Sequence, residues 1–143
     1  MSRGPLVVGI GNVDRGDDAA GLLAVRRLRG FRTAQLSDCT DLFDLWADED
    51  DVIVIDAMVT GAPVGTVRRF DVGAFTLPVG AFPSTHAFGL AETVELARAL
   101  GKLPARLTIF GIEAGRVGLG ERQSPEVDDA IDTLVGELQE VAA

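Results

Sequence analysis

Two rhythms of apolar residues alternate along this chain, short continuous runs and stripes at helical spacing. The first run is "PLVVGI", residues 5–10, whose β-branched members end at a glycine, the pattern of a strand buried on both faces. A helix is predicted over 17–28, a strand over 33–36, and a short helix over 41–46 with Thr40 as its N-cap. "DVIVID", 51–56, is the clearest strand, preceded by the acidic turn "DEDD". The loop "VTGAPVG" after it favours a tight reversal into a strand over 66–72. Leu90, Val94 and Ala97 share one face of a helix predicted over 90–100, with Gly101 placed for a C-cap. "RLTIFGI" gives another buried strand. Ser124 and Pro125 then occupy N-cap and N1 positions of a last helix striped by Val127, Ile131, Leu134, Leu138 and Val141.

Strands and helices thus alternate without internal repeat, linker or low-complexity tract. The expected fold is α/β, a mainly parallel sheet of about five strands sandwiched between helices, in a single three-layer domain over residues 1–143. Such sheets bind ligands outside the carboxyl ends of their strands. The turn after the first strand, Asp56 at the end of "DVIVID" and Glu113 at the end of "RLTIFGI" are expected on that edge, which makes Asp18 and Asp56 neighbours. Residues 73–89 are interrupted by Pro78, Pro83 and three glycines, and a loop of this length in a compact domain is often functional.

Composition narrows the partners. With 22 acidic against 13 basic residues, the net charge of -9 disfavours nucleic acid and anionic membrane surfaces and is compatible with a cation or a basic partner. No segment approaches the roughly 18–20 uninterrupted apolar residues of a membrane span, and the N-terminus lacks the pattern of a signal peptide. Cys39 is the only cysteine, which excludes an intramolecular disulfide and fits a reducing, cytoplasmic compartment.

The chemistry concentrates around "GIGNVDRGDDAAG", residues 9–21. Gly9 and Gly11 fit a dinucleotide fingerprint, but Asp14 stands at its third glycine, and carboxylates in the first helical turn compete with phosphate for the free N–H groups. Asp17 and Asp18 read either as a cap and dipole complement or as cation donors. Asp56 ends an otherwise apolar strand, where a carboxylate is costly unless paired, hydrogen-bonded or metal-bound. His86, the one histidine, precedes a helix in "PSTHAFGL". Together Asp18, Asp56 and His86 offer one nitrogen and two oxygen donors, a set suited to zinc, nickel, iron or manganese with a position left for substrate or water. Cys39 reads as a small buried hydrophobe rather than a nucleophile. Ser84 and Thr85 flank His86 without a nucleophile elbow, and no hydrolase triad assembles. Glu113 reads either as a support or substrate-binding group, or as a solvated residue opening a loop.

Four ordered blocks, "GIGNVDRGDDAAG", "DVIVIDAMVTGAPVGTV", "STHAFGLAETVELARALGKLP" and "LTIFGIEAGRVGLGERQSPEVDDAI", resemble the hydrogenase maturation endopeptidases over nearly the whole chain. The resemblance implies an endopeptidase that removes the C-terminal extension of a [NiFe] hydrogenase large subunit. It also implies metal-binding roles for Asp18, Asp56 and His86, directed at nickel already inserted in that substrate, although zinc or another divalent ion suits the same donors. It assigns no catalytic residue. The family's glycine-rich segment after the second strand appears here as "SDCTDLF", with Cys39 where glycine allows close backbone approach. Ala19 stands where many relatives have glycine, while Gly21 is retained. Two other readings start from the same residues, a non-proteolytic nickel-binding accessory module and an aspartic-type dyad of Asp18 and Asp56. A flavodoxin-like nucleotide domain is disfavoured by one Trp, no Tyr and Asp18 at the critical turn.

Overall fold

The continuous apolar runs become the central strands of one sheet in a computed structural model that describes residues 4–73, 82 and 89–142. In chain order the strands are β1 (Leu6–Ile10), β2 (Arg32–Leu36), β3 (Asp51–Met58), β4 (Val67–Asp71) and β5 (Arg106–Glu113). They lie in the order β2-β1-β3-β5-β4, with β2, β1, β3 and β5 parallel and β4 antiparallel to β5. The exception follows from the short turn after β3. A parallel connection needs a crossover of a dozen or more residues, whereas the "VTGAPVG" turn reverses directly, held by Gly65 N–H on the Glu113 carbonyl at 2.9 Å.

Helices α1 (Ala20–Arg27), α2 (Leu42–Trp46), α3 (Leu90–Ala99) and α4 (Pro125–Ala142) cover both faces. Side chains alternate across a strand, so β3 feeds two cores. Val52 and Val54 join Leu42, Trp46, Leu90 and Val94 beneath α2 and α3. Ile55 joins Val7, Val25, Val127, Ile131 and Leu134 beneath α1 and α4. This is the expected three-layer α/β arrangement. Among the described residues no helix is long and apolar enough to cross a membrane.

Three local expectations change. The helix expected from residue 17 opens as a 3-10 turn, Gly16–Ala19, because the Asp17 amide donates to the Arg116 carbonyl at 2.6 Å, 99 residues away in the chain. Thr40 does not cap α2. Asp41 precedes the helix without a side-chain cap, and Thr40 donates its amide (2.8 Å) and its hydroxyl to the Asp38 carboxylate. The Ser124 hydroxyl goes to Asp17 rather than to its own helix. Gly101 does end α3 as expected, at φ 67°, with Lys102 N–H on the Ala97 carbonyl at 2.8 Å, a Schellman closure.

Candidate functional site

Parallel strands bring the carboxyl ends of β1, β3 and β5 to one edge, and the acidic residues collect there. Glycine sets the spacing. A Cβ on Gly11 would lie 2.1 Å from the Asp18 carbonyl, and one on Gly21 would lie 2.2 Å from the Ile55 carbonyl and 2.4 Å from that of Ile10. No side chain fits at such distances, so these glycines serve to press the 3-10 turn and α1 onto β1 and β3. The question of a phosphate loop does not arise; the glycines accommodate backbone.

Asp56 is the third residue from the end of β3, paired across from Gly111 of β5, and only 2% of it is exposed. Its Oδ1 accepts the Ala57 N–H at 2.8 Å. Burial and then the nearby Asp18 charge push its carboxyl well above the usual range, against the pull of that one backbone bond. Asp18 itself is half-buried in the 3-10 turn. Burial pushes it up to about 6, against the opposing Arg15 charge and a backbone bond from Asn12. The fold therefore places Asp18 near enough to Asp56 at the sheet edge for a charge on one to act on the other.

His86 lies outside the described residues, as do Ser84 and Thr85. Among the described residues, no group of three His, Cys, Asp or Glu side chains converges in a metal-binding arrangement. The helix that follows His86 in the chain is anchored by Thr93, whose hydroxyl donates to the Gly89 carbonyl at 2.8 Å, and it shares its core with Cys39. Burial first, then Asp56, Asp38 and Glu92, push that thiol up to about 12. Cys39 is 4% exposed, a buried residue between α2 and α3 and a poor nucleophile.

Asp17 turns out to be a clamp. It is fully buried, and four donors converge on it: Ser124 N–H at 2.6 Å on Oδ1, with Ser124 Oγ at 2.6 Å, Gly115 N–H at 2.8 Å and Arg116 N–H at 2.9 Å on Oδ2. Burial pushes this carboxyl up, but the bonds from Ser124, Arg116 and Gly115 outweigh it and hold it below 3.8. Adjacent carboxylates thus divide, one tied down by four bonds and one close enough for its charge to act on Asp56. Glu113 is likewise a support rather than a solvated residue. It is 2% exposed and takes the Thr60 N–H (2.8 Å) and hydroxyl (2.5 Å), which pins the loop after β3. Sequence reasoning missed both partner sets, since they lie 53 to 107 positions away. A large cavity of about 650 Å³, lined by Phe31, Ile53, Phe110 and Leu138, opens at the other end of the sheet beside Asp51 and Arg106 and is remote from these carboxylates.

The profile of the hydrogenase maturation protease (HycI) family matches residues 37–141, a span that contains Asp56 and His86. The hydrogenase expression/formation protein HupD of Thiocapsa roseopersicina is 30% identical over 147 aligned positions, covering 90% of this chain, which spans 66% of that relative's length. In three dimensions the chain is similar to the [NiFe] hydrogenase maturation protease HybD from Thermococcus kodakarensis, with a TM-score of 0.74, 28% identity and full coverage of both chains. The hydrogenase maturating endopeptidase HybD from E. coli shares the fold at a TM-score of 0.70 and 23% identity, over 99% of this chain and 94% of the other.

Proposed function

From the premise that this chain belongs to the hydrogenase maturation protease family, we propose that it is an endopeptidase that removes the C-terminal extension of a [NiFe] hydrogenase large-subunit precursor after nickel insertion. In this reading Asp18, Asp56 and His86 bind the nickel carried by the substrate. The observation that carries it is Asp56: a carboxyl 2% exposed at the end of an apolar strand, held beside the second carboxyl of Asp18. Two desolvated carboxylates side by side disfavour their charged forms, and a divalent cation between them supplies the missing opposite charge. Carboxylate oxygens with an imidazole nitrogen suit a borderline cation such as nickel.

The metal then acts as a recognition element. A precursor without nickel presents nothing for the three side chains to bind, so cleavage waits for insertion. The proposed setting is the cytoplasm, in keeping with a single cysteine that has no intrachain partner. Incubation with nickel-containing and nickel-free precursors, followed by mass spectrometry, is expected to show tail removal from the nickel form alone. Equal cleavage of both forms, or of neither, would overturn the reading.

The raised Asp56 carboxyl next to Asp18 also favours a second reading, an aspartic-type dyad in which the two groups share a proton. His86→Ala separates the two. The nickel reading expects loss of cleavage, whereas a dyad retains it.

A further inference from the structure

Asp18 lies in a turn whose own backbone bonds are long. Its N–H donates to the Arg15 carbonyl at 3.0 Å, Arg15 N–H to the Asn12 carbonyl at 3.2 Å, and Asn12 N–H to the Asp18 carbonyl at 3.3 Å. Such lengths run to the weak end of the N–H···O range. The bonds that leave the turn are shorter. Asp17 N–H meets the Arg116 carbonyl at 2.6 Å, and the Asp17 carboxylate takes its four donors from Gly115, Arg116 and Ser124 at 2.6 to 2.9 Å. Hydrogen bonds to a carboxylate are also roughly twice as strong as neutral ones. The place of Asp18 is therefore set from the loop after β5 more than from its own turn.

The same loop holds the strand that carries the other carboxyl. Ala114 N–H, one position past β5, donates to the carbonyl of Met58, two positions after Asp56, at 2.9 Å. Glu113 takes the Thr60 N–H and hydroxyl just beyond the end of β3. Residues 113–116 thus bond to the end of β3 on one side and to the turn of Asp18 on the other. Gly115 leaves no slack between them, since a Cβ there would lie 2.9 Å from Val64 Cγ2. The one carboxylate of this segment is occupied by Thr60, so the segment serves as a spacer between Asp18 and Asp56.

We propose that Asp17 is a positioning residue: through residues 113–116 it fixes Asp18 relative to Asp56 at the spacing in which both grip the cation carried by the substrate. The identity of that cation rests on the nickel reading above. Asp17 itself touches neither the metal nor the scissile bond, because its oxygens are filled by four donors. A misplacement of about 1 Å at a reacting site can cost on the order of a hundredfold in rate, and loss of a group that orients a metal ligand costs about 10–100-fold in metal affinity.

Asp17→Asn and the milder Ser124→Ala are compared with wild type and with Leu134→Ala, a core truncation beneath α4 that lowers the urea midpoint without touching the clamp. Amide hydrogen exchange on the protein alone is the first readout. The Asn12 and Asp18 amides, which close the turn, should exchange at least about tenfold faster relative to the β3 amides in Asp17→Asn, and by less in Ser124→Ala, which removes one donor of four. Leu134→Ala should not single out the turn. The second readout is the dissociation constant for nickel-loaded and nickel-free full-length precursor. Asp17→Asn should reduce the wild-type preference for the loaded form about tenfold or more, with binding of the nickel-free form within about twofold. Ser124→Ala should reduce it less, and Leu134→Ala should keep it, which a merely structural role for Asp17 does not predict. Unchanged protection of the turn in both clamp variants, or an undiminished preference for nickel, overturns the positioning role and leaves the protease reading intact. A wild type without preference for nickel overturns the nickel reading by itself; the positioning role then stands or falls on whether the loosened turn lowers kcat for tail removal.

Discussion

Replacing Asp17 with asparagine takes the charge and one acceptor from a buried point where four donors converge. An asparagine that keeps its oxygen in the Oδ2 position still accepts from Gly115, Arg116 and the Ser124 hydroxyl, but its amide then faces the Ser124 N–H, a donor against a donor at 2.6 Å. One charge-assisted bond is lost, at roughly 1.5–3 kcal/mol, and the three that remain become neutral bonds of about half the strength. Relief of the cost of burying a charge offsets part of this. The net destabilisation should be roughly 2–4 kcal/mol, a large share of the ~5–15 kcal/mol available to a domain. Urea denaturation followed by the fluorescence of Trp46, the sole tryptophan and 1% exposed, measures it directly. A double-mutant cycle with Ser124→Ala should show coupling, since the two side chains share a 2.6 Å bond. The pH dependence has a definite sign. The folded carboxyl titrates below 3.8, so its contribution is complete above that value and is lost as pH falls through the lowered one; the asparagine variant should lack that acid-side loss. A variant within about 0.5 kcal/mol of wild type at neutral pH, or zero coupling to Ser124, would refute the clamp.

Glycine substitutions should have opposite signs at two helical positions. Gly21→Ala drives a methyl into the Ile55 and Ile10 carbonyls and should destabilise by about 1–3 kcal/mol, whereas Gly136→Ala in α4, with nothing within 4 Å, should gain about 0.5–1 kcal/mol by urea denaturation. Asp18→Asn should abolish cleavage of the nickel-loaded precursor while leaving the metal-free protein at least as stable as wild type by thermal melting, because the substitution removes a desolvated charge. Cys39, with its buried thiol pushed up to about 12, should resist a thiol-reactive dye in native buffer and react on unfolding; rapid labelling of the native protein would contradict the placement.

The sequence alone determined the layers. Continuous apolar runs such as "DVIVID" require burial on both faces, and the striped helices between them have one face to bury, which leaves a parallel sheet between helices as the arrangement that satisfies both. It also marked Asp56, because a carboxylate ending an apolar strand is conspicuous without any knowledge of its neighbours. Within the Asp17–Asp18 pair the family resemblance singled out Asp18, and tertiary structure supplied the partners that make Asp17 a support. Both sit in one short turn and have the same intrinsic chemistry, so local pattern cannot separate them. The structural side of the separation comes from residues 115, 116 and 124, whose donors reach Asp17 and not Asp18. Likewise Glu113 was ambiguous until Thr60 closed on it, and Gly9 and Gly11, which matched only the start of a dinucleotide fingerprint, gained a purpose once the backbone pressed against them came into view. Burial is a property of a strand's own composition and can be read along the chain; partnership is a property of distance in space, which the fold supplies.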